Sequence, residues 1–133
     1  MVKRHLALLC ALTLCAGTIG CSDMCANEVL ADVPSPDGRK HAIVFERDCG
    51  ATTDFSTQVS ILPVGRAVSD NGNVFVADAD HGRAPRGPGG GPRVAVRWLD
   101  GRTLEVRHDW RARVFMQERE RDGTDVRVVR DSQ

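Results

Sequence analysis

The fold class of this 133-residue chain is decided by VAVRWLDGRTLEVRH, residues 94–108. Apolar residues alternate with polar or charged residues on both sides of the central Asp100-Gly101, as in strands with one face towards a core. The inward set comprises Val94, Val96 and Trp98 before the turn, and Leu104 and Val106 after it. Because Asp-Gly accepts the positive φ angles of a tight hairpin turn, the stretch predicts antiparallel strands at residues 92–99 and 103–108.

The same two-residue period, interrupted by turn signals, recurs along most of the chain. The further predicted strands are residues 28–33, 40–47, 58–64, 74–79 and 124–130. Residues 40–47 carry apolar side chains on both faces, which indicates a central strand. Residues 114–121 pair with 124–130 about Asp122-Gly123 if they are extended. Their content of Met, Gln, Glu and Arg also suits a short helix, and both interpretations stay open.

Seven or eight strands in about 105 residues, spaced by turn signals, predict an all-β fold. The expected architecture is a single small antiparallel meander, packed as a sandwich or an open barrel, in one domain spanning residues 21–133. Residues 82–92 hold five glycines and three prolines, which predicts a flexible surface loop. Nearby arginines could hold phosphate, but no aromatic residue lies among them, so no nucleic acid partner is expected.

Residues 1–20 have the organisation of an export signal, in which two basic residues precede an apolar run at residues 6–16. This run is too short to cross a membrane. The following Thr18-Ile19-Gly20-Cys21 resembles the lipobox of bacterial lipoproteins, with Thr18 where that motif usually has Leu. The resemblance implies that residues 1–20 are removed as a lipoprotein signal peptide and that Cys21 is acylated with palmitate-type chains. A plain secretory signal that leaves Cys21 an ordinary thiol is the alternative.

Cysteine counting agrees with a lipid on Cys21. Cys10 and Cys15 lie in the leader, which leaves Cys21, Cys25 and Cys49 in a compartment where thiols oxidise. If Cys21 carries the lipid, Cys25 and Cys49 form an even pair, and we expect a disulfide between them. In the chain-entropy model, closing their loop of about 25 residues contributes roughly 3 kcal/mol to stability. A zinc site is the alternative use of these sulfurs, but no CxxC or HxxxH spacing accompanies them, so no metal is predicted.

The middle of the chain carries four distinctive runs, which are SPDG at 35–38, AIVF at 42–45, RDCGATT at 47–53 and FSTQVSI at 55–61. Together they resemble a family of small bacterial proteins with no assigned function, many of which resemble lipoproteins too. Looser similarity continues at residues 72–75 and 94–98, and the loop at 82–92 fits the family least. The resemblance implies an envelope lipoprotein, and it offers no catalytic residue that can be carried over.

The residue types that carry catalysis are present without a recognisable motif. His41, His81 and His108 are accompanied by no GxSxG, HExxH or phosphate-binding pattern, so we predict a non-enzymatic protein with no catalytic residues and no cofactor. His108 follows the inward residues of its strand and is expected in the core or at its edge. Asp78 and Asp80 share one side of a strand end, but a calcium site needs six or more oxygens, so a solvated strand end is favoured. A small hydrolase or metal enzyme would require His108, or the two aspartates, to converge in one pocket.

Residues 47–54, RDCGATTD, form the polar stretch with the clearest potential for recognition. They make a long loop that holds several hydroxyls and one of the two paired cysteines. Loops held by a disulfide often carry recognition in small exported domains. The candidate binding residues are Asp48, Thr52, Thr53 and Asp54. The alternative is that these side chains only satisfy backbone groups of turns.

Charge places few limits on function, because the whole chain has 18 basic and 18 acidic residues. The distribution is uneven, since residues 82–133 hold 12 basic and 8 acidic side chains. Such asymmetry can mark a surface for anionic lipid headgroups or an acidic polymer, and a solvated face is the alternative.

These features together predict a lipoprotein of the bacterial cell envelope, bound to the membrane through a lipid on Cys21. Ser22 follows the cysteine, where an aspartate would resemble an inner-membrane retention signal, so the outer membrane, facing the periplasm, is expected. The domain is expected to bind an envelope protein partner or to form part of an envelope assembly. The alternative is an inhibitor of a hydrolase that inserts residues 48–54 or 82–92 as a loop.

Overall fold

The computed structural model describes residues 24–132 of the chain. In these residues, all regular secondary structure is β-strand. The predicted leader and Cys21 lie outside the described residues. In chain order the strands are β1 (Ala26–Pro34), β2 (Lys40–Asp48), β3 (Ser56–Pro63), β4 (Phe75–Asp78), β5 (Val94–Asp100), β6 (Thr103–Asp109), β7 (Arg113–Gln117), β8 (Glu120–Arg121) and β9 (Thr124–Asp131). The prediction of an all-β fold is confirmed. No helix within residues 24–132 has the length and apolarity needed to span a membrane.

The strands form two sheets that pack as a small sandwich. The first sheet has the order β1-β2-β3-β4-β7 and is antiparallel throughout, whereas the second has the order β5-β6-β9-β8. The pair of β6 and β9 is parallel, which departs from the expected antiparallel meander. The reason lies in the path of the chain. After β6 the chain crosses to the first sheet as β7 and returns as β8 and β9, so β9 runs in the same direction as β6.

The hairpin predicted at residues 94–108 is confirmed, but neither Asp100 nor Gly101 has the positive φ angle expected at its turn. Its register places Val94 opposite His108, Val96 opposite Val106 and Trp98 opposite Leu104. Because residues directly opposite each other share a face, the apolar set points to the same side of both strands.

The segment 114–121 is extended rather than helical, but it is not one strand. Its first part belongs to β7 in the first sheet, and only β8 forms the predicted hairpin with β9. The turn between them contains Asp122 and Gly123 at φ angles of 48° and 75°. An Asp-Gly pair tolerates this left-handed conformation, which explains why the turn was readable in the sequence.

The core lies between the sheets and draws on both. Its buried cluster comprises Ala42, Val44, Val59, Ile61, Val74, Phe75 and Ala77 from the first sheet and its adjoining residues, and Leu104, Val106 and Val126 from the second. β2 is buried on both faces, as expected for a central strand, since Ile43 and Phe45 point away from this cluster and are also buried.

His108 is 1% exposed, its ring lies 5.1 Å from that of Phe75, and its Nδ1–H donates to the Asp109 carbonyl at 2.8 Å. The expectation of a core histidine is therefore confirmed.

The glycine-rich loop at 82–92 packs over the inner face of the first sheet. A Cβ on Gly89 would lie 2.2 Å from Glu46 Oε2, and a Cβ on Gly91 would lie 2.5 Å from Thr57 Oγ1. The Thr57 hydroxyl donates to the carbonyl of Pro92 at 2.7 Å. Glycine is therefore required for close approach of the loop backbone to β2 and β3. That the loop is flexible stays a prediction.

The predicted disulfide between Cys25 and Cys49 is present. Cys25 directly precedes β1 and Cys49 directly follows β2, beside the register pair of Ala26 and Asp48. The bond therefore fastens the open end of the first hairpin.

Candidate binding cleft

A polar row crosses the first sheet at the end fastened by the disulfide. Arg47 of β2 lies opposite Ser56 of β3, Ser56 lies opposite Asp78 of β4, and Asp78 lies opposite Arg113 of β7. Residues paired in this way share a face. Since Val44 points into the core, Arg47 points to the face that is turned away from the second sheet. Four strands thus place one charged or polar side chain each on one outer surface.

A cleft of about 540 Å³ lies over this row. Its floor and walls comprise Arg47, Cys49, Ala51, Thr52, Thr53, Asp54, Ser56, Val76, Asp78, His81, Arg113 and Phe115. The two regions that the sequence singled out separately, the loop after β2 and the aspartates after β4, therefore meet at one site.

Three of the four predicted binding residues, Thr52, Thr53 and Asp54, line the cleft. Asp48 has a different role, because its carboxylate accepts the backbone N–H of Gly50 at 2.9 Å and so holds the turn. Thr53 both lines the cleft and closes the turn, with its backbone N–H and its hydroxyl each donating to the Gly50 carbonyl at 3.2 Å. In this loop, therefore, some residues line the cleft, Asp48 stabilises the turn, and Thr53 does both.

Arg113 is fixed in the cleft by Asp78 and Phe115. Its Nε–H donates to Asp78 Oδ1 at 3.1 Å and a second hydrogen bond joins Nη2 to Oδ2, while the guanidinium lies 4.9 Å from the centre of the Phe115 ring. The Asp78 side chain is only 6% exposed. These bonds raise the pKa of Arg113 further above its usual value, so the group is permanently charged.

Phe115 lines the cleft beside Arg113, at a β-bulge in β7. Val76 lies opposite Met116, but the next residue of β4, Ala77, lies opposite Val114, so Phe115 has no partner in the ladder. A bulge redirects the side chain of the extra residue. Phe115 lies two residues from Arg113 on the edge strand of the sheet, and it is 60% exposed.

The turn after β4 has two consecutive residues with left-handed backbone, Asp80 at φ 47° and His81 at φ 57°. Such conformations cost free energy in residues with a Cβ, and hydrogen bonds from the surroundings must hold them. The Asp80 N–H donates to Asp78 Oδ1 at 2.9 Å, and the His81 N–H donates to Asp54 Oδ2 at 3.2 Å. The turn therefore brings His81 against the loop after β2.

The aspartates of this turn face arginines rather than a common cation. Asp78 binds Arg113, and Asp80 Oδ2 lies 3.2 Å from Arg83 Nη1. Across residues 24–132, no group of three or more His, Cys, Asp or Glu side chains is placed to hold a metal ion.

The three histidines within residues 24–132 lie apart. His81 lines the cleft, His108 is in the core, and His41 is at the other end of β2, where Nδ1 lies 2.8 Å from Asp32 Oδ1 and Nε2 lies 3.0 Å from the carbonyl of Arg66. The structure therefore does not bring His108 together with the aspartates, as a small hydrolase or metal enzyme would require.

Sequence reasoning missed Arg113 and Phe115 as residues of the site, and it included Arg47 in the polar stretch without naming it as a binding residue. Arg113 and Phe115 lie about sixty residues from the loop that they face, and they join it only because β7 pairs with β4. The sole signal was the alternation of Arg113, Val114 and Phe115, which marks a strand but not its neighbour.

Comparison with models of protein families, with curated proteins and with solved structures gives no match for this chain. The resemblance to small bacterial lipoproteins therefore stays a prediction. Function is inferred from the residues and from the geometry of the cleft.

Proposed function

We propose that the chain is an exported lipoprotein of the bacterial envelope, held to the outer membrane by a lipid on Cys21 and facing the periplasm. Its β-sandwich acts as a non-enzymatic binding module, and the cleft between the disulfide loop and β7 is its binding site. The partner is an envelope component, of which a protein is the first candidate.

The observation that carries this proposal is that the walls of the cleft are fixed from several strands. The disulfide fastens the loop at Cys49, Asp48 and Thr53 hold its turn, and Asp78 orients Arg113 from below. A volume of about 540 Å³ falls in the range of small-molecule and side-chain pockets. A preformed site loses little conformational freedom on binding, which favours recognition.

The hydrogen bonds of the cleft support binding rather than catalysis. A nucleophilic hydroxyl must be aimed at a base that can take its proton. Here the Ser56 hydroxyl donates to the carbonyl of Arg47 at 3.3 Å, and the Thr53 hydroxyl donates to that of Gly50. These two hydroxyls serve the backbone and are not paired with a base.

Site-specific photo-cross-linking in the producing bacterium tests the binding site. A photoreactive residue at Thr52 lies in the cleft wall, and one at Arg39 lies in the exposed turn at the opposite end and serves as the control. We expect an adduct from position 52 that position 39 does not give and that Arg113→Ala removes. The same adducts from both positions, or none from position 52, contradict the proposed site.

The second candidate, inhibition of a hydrolase, is favoured by the exposure of the fastened loop at Ala51, Thr52 and Thr53. An inhibitor of this kind inserts a rigid protruding loop into the enzyme. Recovery of a hydrolase as the cross-linked partner, with loss of its activity upon addition of the purified chain, selects this candidate. Recovery of an enzyme that keeps full activity excludes it.

A further inference from the structure

One end of the sandwich, here called the anchor end, carries the disulfide. It comprises the Cys25–Cys49 disulfide, the loop at 49–55, the loop at 79–93 and the connection at 110–112 between β6 and β7. Cys25 is four residues from Cys21, and an extended chain spans at most about 3.6 Å per residue, so the two are within about 15 Å of each other. A lipid on Cys21 would hold this end at the membrane surface.

The anchor end also displays large apolar side chains. Seven are exposed within residues 24–132. Phe55 and Trp110 belong to this end, Met24 directly precedes its disulfide, and Phe115 is the third residue of β7, which starts there. Met24 is 88% exposed and Trp110 is 53% exposed. Aromatic side chains at a water-facing end are costly in solution, but they are favoured at the headgroup level of a bilayer.

In four ion pairs at or beside the anchor end the arginine is the more exposed partner, whereas in the pair of Arg107 with Asp131 the aspartate is slightly more exposed, at 48% against 44%. The side chain of Arg83 is 72% exposed and that of its partner Asp80 is 23% exposed. The same order holds for Arg86 with Asp54, Arg111 with Asp109 and Arg113 with Asp78. These four pairs are neutral in sum, and each exposes its guanidinium to solvent more than its carboxylate. Guanidinium groups bind phosphate oxygens in paired hydrogen bonds.

We propose that the anchor end is a docking surface for the membrane itself, so that the folded domain rests on phospholipid headgroups and is not a freely rotating body on a tether. This inference rests on the lipid anchor proposed above. Trp110 and Phe115 enter the headgroup layer, and Arg83 and Arg86 contact the phosphates of anionic lipids. The cleft, which Phe115 lines, then opens beside the membrane and meets partners located there.

The two tryptophans provide a matched pair of reporters. Trp110 is at the anchor end, whereas Trp98 is near the opposite end of β5, with its Nε1–H donating to the carbonyl of Val33 at 3.0 Å. The full-length protein, processed in a bacterial host and purified from its membranes, is placed in vesicles of phosphatidylcholine with about 30 mol% phosphatidylglycerol. Quenching by brominated phospholipids is measured in Trp98→Phe, which leaves Trp110, and in Trp110→Phe, which leaves Trp98.

We expect Trp110 to be quenched and its emission shifted to the blue, while Trp98 stays unquenched. Arg83→Gln with Arg86→Gln should reduce the quenching of Trp110, whereas Arg39→Gln with Arg102→Gln, at the opposite end, should not. In the unlipidated Cys21→Ser chain, we expect each removed arginine of the anchor end to lower the vesicle partition coefficient roughly fivefold. Equal quenching of the two tryptophans, stronger quenching of Trp98, or no effect of the arginine changes overturns the proposal.

Failure of the docking surface and failure of the anchor are separable. The intact mass of the same preparation shows whether Cys21 carries lipid. A lipidated protein with unquenched Trp110 refutes docking and leaves the anchor in place. An unlipidated protein refutes the anchor, and the partition of that protein into anionic vesicles then decides docking by itself.

Discussion

Removing the Cys25–Cys49 disulfide should destabilise the domain strongly. The bond joins residues 24 positions apart, and in the chain-entropy model a closed loop of about 25 residues restricts the unfolded chain by about 3 kcal/mol at 25 °C. Domains of this size are stable by only about 5–15 kcal/mol in total. For a domain of roughly 100 residues, 3 kcal/mol corresponds to a lowering of Tm by about 12 °C.

The assay is urea unfolding of Cys25→Ala with Cys49→Ala, compared with the oxidised parent and with the parent after reduction, all in the Cys21→Ser background. The variant and the reduced parent should agree with each other and fall below the oxidised parent by about 3 kcal/mol. Their m values should also be larger, because the unfolded chain without a cross-link is more expanded. A loss below about 1 kcal/mol would refute the reasoning, since it would show that the bond does not restrict the unfolded chain as its loop length requires.

Three further changes have defined expectations. Gly91→Ala drives a Cβ against Thr57 and should lower the free energy of unfolding, measured in urea, by about 1–3 kcal/mol. Gly101→Ala has open space around its Cα, so its free energy of unfolding should stay within about 0.5 kcal/mol of the parent's. Burial raises the pKa of Glu46 above 4.5, so stability falls as pH rises from about 4.5, where the unfolded chain ionises, and the loss is complete above the raised pKa of the folded state. Glu46→Gln should therefore be more stable than the parent by on the order of 1 kcal/mol at pH 7, and a calorimetric comparison at about pH 4 should show the difference largely gone. Hydrogen bonds from the Arg111 side chain lower the pKa of Asp109 to about 2, so the parent should lose stability as pH falls from about 4 to 2. Acid unfolding followed by circular dichroism should show this loss reduced in Asp109→Asn.

Local patterns made much of the fold predictable. The hairpin at 94–108 combines alternation with an Asp-Gly turn, and both features depend only on neighbouring residues. The two-sided apolarity of residues 40–47 correctly indicated a central strand, since β1 and β3 flank β2. The disulfide followed from the count of cysteines once a lipid was assigned to Cys21.

The arrangement of the sheets could not be predicted in the same way. Residues 114–121 were predicted as one element, either a strand or a short helix, yet the chain leaves the first sheet after β7, so β8 lies in the second sheet. Which strand pairs with which is decided by packing between distant segments, and the period of two contains no information about it. The parallel alignment of β6 and β9 is a consequence of that crossing.

Only one wall of the candidate site could be predicted from the sequence. The loop after β2 was recognisable from its hydroxyls and its cysteine, and Thr52, Thr53 and Asp54 indeed line the cleft. The opposite wall depends on Arg113 and Phe115, which face the loop only because β7 pairs with β4, and the sequence does not show that pairing.

The intact mass of the protein extracted from bacterial membranes tests the central claim most directly. The account predicts a chain that begins at Cys21, carries acyl groups on that residue, and takes up two alkyl groups only after reduction, one each on Cys25 and Cys49. A water-soluble product that starts at another residue, with Cys21 open to alkylation without reduction, would contradict it.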